Sequence, residues 1–310
     1  MKNTISFPRY GKYTDLFVES FREVGVDVIA PPSITEKTVE LGTKYSPGDI
    51  CYPFKITLGG LIETLEKGAN RIIMVNSAGW CLLRCYAVVQ ERILKDLGYD
   101  FEMINMNIRT PLKIYRAIRK IVPSNISAFK IIHAVKKLYN KAKKIDIAEQ
   151  NCNRTAPIKI GIAGEVYVCN EDTVNMNITG KLQDMNVYVD KWLSLSGNLK
   201  LLGKDYLGIK DLKKYRKIAH NYFPERIGGH ANENLVKLIK YAETGYDGAI
   251  LLKPFACNPE TIIEPIVEKI SKDYGMPILC LCIDESMLET HFQTRLESFI
   301  DMIKIRKGLF

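Results

Sequence analysis

The sequence predicts an α/β protein of two Rossmann- or flavodoxin-like domains with parallel sheets, joined by a basic helical segment. Three observations predict it. Short apolar β runs such as IIMV (72–75), GAILL (248–252) and PILCLCI (277–283) alternate with amphipathic stretches through both ends of the chain. Strands separated by helices of about 10–15 residues imply a parallel sheet with helices on its faces. The alternation breaks between residue 111 and about residue 150, where two basic amphipathic stretches follow one another. A turn-rich segment, NCNRTAP at 151–157, then precedes the return of the strand–helix rhythm. The expected division is an N-terminal α/β domain over 1–110, a basic helical connector over 111–156 and a C-terminal α/β domain over 157–310. A chain of 310 residues has room for two such domains.

Each element follows from its own pattern. Thr4–Phe7 is a short β run, and Leu16, Phe17, Phe21 and Val24 carry helical spacing over Tyr13–Val24. Val26–Ala30 reads as a strand stopped by Pro31-Pro32, residues 53–66 as a helix opened by Pro53, and Arg71–Val75 as a strand. Tyr86–Leu97 is an amphipathic helix and Phe101–Ile104 another strand. PLKIYRAIRKIV and ISAFKIIHAVKKLYNKAKK both read as helices with a basic face. The second half gives the strand IKIGIAG, a helix near Thr173–Met185, the strand NVYV at 186–189 and a mostly helical stretch over Lys191–Phe223. Helices over Ala231–Glu243, Pro259–Asp273 and Leu288–Ile305 then alternate with GAILL and PILCLCI.

Composition narrows the function classes. A hydrophobic fraction of 46% with 25% charged residues is that of a folded chain. No apolar run approaches the ~20 residues of a membrane span. The N-terminus MKNTISFPRYGKY lacks a signal-peptide core. A cytoplasmic protein is therefore expected, and its eight cysteines are expected to be thiols, metal ligands or core residues rather than disulfides. The net charge of +9 comes from one window: Arg109–Lys144 holds eleven Lys or Arg and no Asp or Glu. Such a segment suits an anionic ligand, nucleic acid or an acidic protein, or is a solvated helix face. No P-loop and no G-x-G-x-x-G is present.

Several cysteines fall where open parallel sheets place their ligands, beyond the carboxyl ends of strands. Cys81 follows the strand ending at Val75, and Cys257 comes five residues after GAILL. Cys51-Tyr52-Pro53 and Cys257-Asn258-Pro259 share a spelling, and each places a thiol beside a proline-opened helix start. Unpaired amides and the dipole favour a thiolate there. One such thiolate is a candidate nucleophile, whereas three from converging loops suit a metal centre. Histidines 133, 220, 230 and 291 show no zinc-type spacing from a cysteine, while iron–sulfur clusters are held by cysteine thiolates, and three widely spaced ones can hold a cubane. Lys55, four residues past Cys51, would offset a cluster's negative charge.

The stretches YSPGDICYPFKITLGGLIETLEKGA, SAGWCLLRCYAVVQERILKDLGYD, GEVYVCNEDTVN, GYDGAILLKPFACNPETI and TRLESFIDMI run in order along the chain. On them the protein resembles the 2-hydroxyacyl-CoA dehydratase and benzoyl-CoA reductase-type family, especially its activase-related and double-cubane-cluster branches. The resemblance implies that Cys51, Cys81 and Cys257 ligate an iron–sulfur cluster between two α/β domains. It also implies an ATP-hydrolysing activator as electron donor and a small substrate, such as an acyl-CoA thioester, that is reduced or dehydrated. The chain departs from the family where Gly-Pro-Cys-Arg becomes Gly79-Trp80-Cys81-Leu82, and where PFGCMPG becomes Pro254-Phe255-Ala256-Cys257-Asn258-Pro259-Glu260.

The cofactor expected is a [4Fe–4S] cluster, or an [8Fe–9S] double cubane. The double cubane would recruit Cys85, one helical turn from Cys81, together with Cys280 and Cys282, which alternate onto one side of their strand. Trp80 would shield the centre and His230 would donate to it or start a helix. Cys152, Cys169, Asp284, Glu285 and an ion-paired Arg295 read as structural. The alternatives are a non-enzymatic cluster carrier, and a metal-free binding protein that uses residues 109–144. That basic segment would dock the activator or join a homodimer, and nucleic acid is not the expected partner.

Overall fold

The computed structural model describes residues 3–76, 81–107, 111–197 and 213–309. They form two compact units. One runs to Asp146 and includes the segment that begins at Leu195, and the other holds Ile147–Ser194 and the C-terminal part of the chain.

The first unit contains β1 (Thr4–Ser6), α1 (Thr14–Glu23), β2 (Asp27–Val28), α2 (Glu36–Tyr45), α3 (Tyr52–Glu66), β3 (Arg71–Asn76), α4 (Leu83–Asp96), β4 (Glu102–Asn107), α5 (Pro111–Ile121) and most of α6 (Ala128–Asn151). Its four strands are all parallel in the order β2-β1-β3-β4. Ile5, Ile73 and Ile104 turn one face of that sheet towards Phe17 and Val18 of α1, Ile118 and Ile121 of α5, and Ile131 and Ala134 of α6. The basic helices therefore contribute apolar stripes to the first unit's core while their cationic faces turn outward. Ile72 and Met74, also buried, alternate to the other face of the sheet.

Helix α3 buries 12 of its 15 residues, the signature of a helix packed all round. It approaches α2 backbone to backbone. A Cβ added at Gly42 would lie 1.9 Å from the Lys55 carbonyl oxygen, and one at Gly59 would lie 1.9 Å from that of Thr38. These two glycines are what let the α2–α3 pair close and set the loop between them, Ser46–Cys51, in place. At the far end of the unit, the Tyr13 hydroxyl donates to Asp146 at 2.5 Å. The backbone amide of Ser196 donates to the other Asp146 oxygen at 3.0 Å, which fixes the returning chain onto α6.

The second unit contains β5 (Ile158–Gly164), α7 (Val166–Asn170), α8 (Ile178–Asp184), β6 (Val187–Lys191), α9 (Lys213–Tyr222), α10 (Ala231–Glu243), β7 (Gly248–Pro254), α11 (Asn258–Tyr274), β8 (Ile278–Ile283) and α12 (Glu289–Lys307). Its strands are again all parallel, in the order β6-β5-β7-β8. Both units thus order their strands second, first, third, fourth. In each, the direction of winding reverses between the first and third strands, where open α/β sheets bind ligands.

Three local expectations change. Helix α2 was not expected, although Thr35 and Thr38 form a capping box at its start. The helix expected near Thr173–Met185 is shortened to α8, Ile178–Asp184, because Met176 and Asn177 adopt positive φ and Asn177 caps it. Helix α6 continues to Asn151, into the start of the segment read as linker.

Candidate functional site

In the first unit Cys51 is the N-cap of α3, with extended backbone (φ −64°, ψ 144°) and Pro53 in the first turn. Proline at that point loses no hydrogen bond and pre-sets the helix. The thiol makes no capping bond to the helix. Instead its sulfur lies 2.7 Å from the hydroxyl oxygen of Tyr86, and both residues are buried. Lys55, one turn into α3, is also buried. Cys81 stands immediately ahead of Leu82, the N-cap of α4, and its carbonyl accepts from the Arg84 amide at 3.2 Å. It therefore precedes the helix rather than riding on it. Helical spacing does not relate it to Cys85, which is exposed in the first turn. Trp80 lies outside the described residues.

In the second unit Cys257 is the N-cap of α11, with Pro259 in the first turn. The residue before it, Ala256, has φ +56°, in the left-handed region that favours glycine. This is the position at which the PFGCMPG pattern carries glycine. The same loop is tied to the neighbouring strand by the Phe255 amide, which donates to the Ile283 carbonyl at 2.8 Å.

Behind Cys257 lies a buried polar cluster at the carboxyl ends of β5, β6 and β7. Gly164 ends β5 at φ +141°, and a Cβ there would meet the Leu252 carbonyl oxygen at 2.1 Å, so only glycine fits. Glu165 follows and caps α7, accepting from the Val168 amide at 2.9 Å. Asn234 of α10 holds the cluster together. Its side-chain oxygen accepts from the Gly164 amide at 3.2 Å and from the Trp192 indole at 3.1 Å. Its amide donates to the Gly164 carbonyl at 2.9 Å and to Glu260 at 2.8 Å. Glu260 is 1% exposed, and among the described residues its second oxygen has no hydrogen-bond partner. Burial, and then the charge of Glu165, push the Glu260 carboxyl up to about 8. Burial also raises Glu165. The Glu260 carboxyl is thus a neutral acid near pH 7.

His230 caps α10 and packs its ring against Trp192 at 5.9 Å. Burial pulls its imidazole down to about 4, so the ring is neutral at pH 7. On the same indole rests the Lys237 ammonium, 5.5 Å from the ring centre, which burial lowers to about 8.

The remaining cysteines occupy distinct environments. Cys280 and Cys282 share one face of β8, the edge strand, while Leu281 and Ile283 are buried on the other. Cys282 pairs with Lys253, whose ammonium bonds to Glu264. Burial and then the Glu264 charge push the Cys280 thiol up to about 11, and burial raises Cys282. Cys169 is fully buried, and burial holds its thiol well above the usual range. Cys152 is exposed and bonds back to the Ala148 carbonyl. Asp284 accepts from the amide and hydroxyl of Ser286, a local turn. Arg295 was expected to form an ion pair but donates to the Cys280 carbonyl at 2.9 Å, where the edge strand leaves its carbonyls open. Within either unit, among the described residues, no three His, Cys, Asp or Glu side chains gather into a metal-holding group.

Residues 5–76 match the CoA enzyme activase uncharacterised domain. Residues 95–303, about two thirds of the chain, match the 2-hydroxyglutaryl-CoA dehydratase D-component. The chain belongs to the 2-hydroxyglutaryl-CoA dehydratase D-component family. No curated protein matches it. The dehydratase match runs from β4 into α12, and so includes Asn234, Cys257 and Glu260; the activase-associated match spans β1–β3 and includes Cys51. Among the described residues no helix is long and apolar enough to cross a membrane.

Within this family member the topology revises how the cysteines correspond. Cys51 and Cys257 share a spelling, but Cys257 follows the third strand of its unit, as Cys81 does in the first. The residue equivalent to Cys51, capping the helix that leads into the third strand, is His230. Sequence reasoning missed Tyr86, Asn234, Glu165 and Glu260. An acid in the first turn of a helix ordinarily reads as a surface partner of the dipole, and nothing in PFACNPET marks Glu260 as buried.

Proposed function

We propose that the protein is an iron–sulfur protein of its family, whose cluster is held by Cys51, Cys81 and Cys257. It would accept low-potential electrons from an ATP-hydrolysing activator and use them to reduce or dehydrate a small substrate. The observation that carries this reading is the shared setting of the three cysteines. Cys51 and Cys257 are N-caps and Cys81 directly precedes one, so each thiol stands where helix amides favour negative charge. That donor set fits thiolate ligation of iron. When bound, a cluster of this kind supplies one-electron reduction at low potential.

The chain's own residues do the rest. The α2–α3 contact fixes the Cys51 loop, and Tyr86 holds the Cys51 sulfur. Ala256 turns the backbone to present Cys257. Glu260 keeps a proton one helical turn from that ligand. The activase-associated match over residues 5–76 supports an activator as electron source. The basic helices offer it a docking face. Lys137 and Lys141 are engaged by Glu23 and Glu19 of α1, while Lys130, Lys136 and Lys143 stand exposed.

We assign the three-cysteine [4Fe–4S] form. Cys280 and Cys282 lie along the edge strand β8 and lack the helix-start setting that the other three share. Iron and sulfide counts on anaerobically prepared protein, repeated on Cys51→Ala, Cys257→Ala and Cys282→Ala, test both statements. Loss of iron in the first two with retention in the third is the expected pattern.

A further inference from the structure

We propose that Tyr86 is a positioning residue for Cys51: its phenol donates to the thiolate sulfur and so sets how readily a group bound at that sulfur accepts an electron. This rests on the cluster reading above and deepens it. The two residues come from different helices and meet at 2.7 Å, with Tyr86 4% and Cys51 7% exposed. The phenol has little freedom to leave. Its ring packs edge-on against Phe54 at 5.0 Å and 86°, and Phe54 lies in the first turn of the helix that Cys51 caps. One turn further along α4, the buried Gln90 amide donates to the Phe54 carbonyl at 3.3 Å and to the Thr57 hydroxyl at 2.8 Å. Tyr86 and Gln90 thus clamp α4 onto the first two turns of α3, and the clamp aims the hydroxyl at the sulfur.

A hydrogen bond to an ionised acceptor is stronger than a neutral one. At a ligating sulfur it withdraws electron density and favours the reduced, more negative state. A tyrosine that only filled space would leave its hydroxyl without influence on that sulfur.

The test replaces the hydroxyl and keeps the ring. In Tyr86→Phe, iron content should be unchanged and the midpoint potential of the iron-loaded protein should move to more negative values. In the iron-free full chain, alkylation of Cys51 by iodoacetamide at fixed pH, read by mass spectrometry, should slow about threefold. The estimate takes roughly tenfold less thiolate on loss of the bond, partly offset by higher intrinsic nucleophilicity. Tyr86→fluorotyrosine, a stronger donor of nearly the same shape, should shift the potential to less negative values, and it serves if the phenylalanine variant fails to fold. An unchanged alkylation rate in Tyr86→Phe overturns the proposal whether or not iron binds. A slowed rate in a chain that binds no iron overturns the cluster reading and retains the hold of Tyr86 on the thiolate.

Discussion

Replacing Glu260 by glutamine should flatten the pH dependence of the second unit's stability. The carboxyl is 1% exposed, with one oxygen bonded to Asn234 and the other unpartnered among the described residues. In the folded chain it releases its proton only at about 8, against an ordinary value of 4.5. The folded state therefore binds more protons than the unfolded state between those values. The associated stability is fully present below 4.5 and is lost as pH rises through about 8. A rise of roughly 3.5 units at about 1.36 kcal/mol per unit corresponds to on the order of 5 kcal/mol over the window. Because Glu165 is raised in the same cluster, the two carboxyls share this titration. Urea unfolding of the wild type and Glu260→Gln from pH 5 to pH 9 measures it. The wild type should lose stability progressively from pH 5 to about pH 8 and level off above it. The glutamine variant should lose much less and overtake the wild type at the alkaline end. Parallel pH profiles would refute the buried, protonated Glu260.

Three further outcomes follow from backbone and hydrogen-bond geometry. Gly59→Ala should destabilise the first unit by about 3 kcal/mol or more, as a shift in urea midpoint, because the added methyl meets the Thr38 carbonyl and not a side chain that can swing away. Ala256→Gly should fold as stably as the wild type or gain up to about 1 kcal/mol, whereas Ala256→Val should lose about 1–2 kcal/mol, since a β-branched residue is poorly tolerated at φ +56°. Tyr13→Phe should cost about 1–3 kcal/mol by withdrawing a donor from the buried Asp146 carboxylate; an unchanged unfolding midpoint would show that Ser196 and other donors suffice.

The alternation of strand and helix was legible because it is carried by apolar runs and their periodicity, and Ala231–Glu243 was placed to the residue. Helix α2 was not legible from its apolar residues, since Val39 and Leu41 alone interrupt a polar stretch; its signal was the Thr35–Thr38 cap. The helix-start positions of Cys51 and Cys257 were legible through the prolines beside them. Their mutual relationship was not. Cys-x-Pro records only that a thiol precedes a helix, while which helix of the unit it precedes is a property of topology. Tyr86 and Glu260 were illegible for a different reason. Each belongs to an ordinary helical pattern, and its significance comes from what another element brings against it: Cys51 in one case, Asn234 and Glu165 in the other.

Whether Cys51, Cys81 and Cys257 hold one cluster is decided by anaerobic iron and sulfide quantification with electron paramagnetic resonance. About four irons and four sulfides per chain are expected, with a paramagnetic signal on reduction that disappears, together with the iron, in Cys51→Ala, Cys81→Ala and Cys257→Ala. A colourless, iron-free wild-type chain, or iron that survives loss of these cysteines, would contradict it.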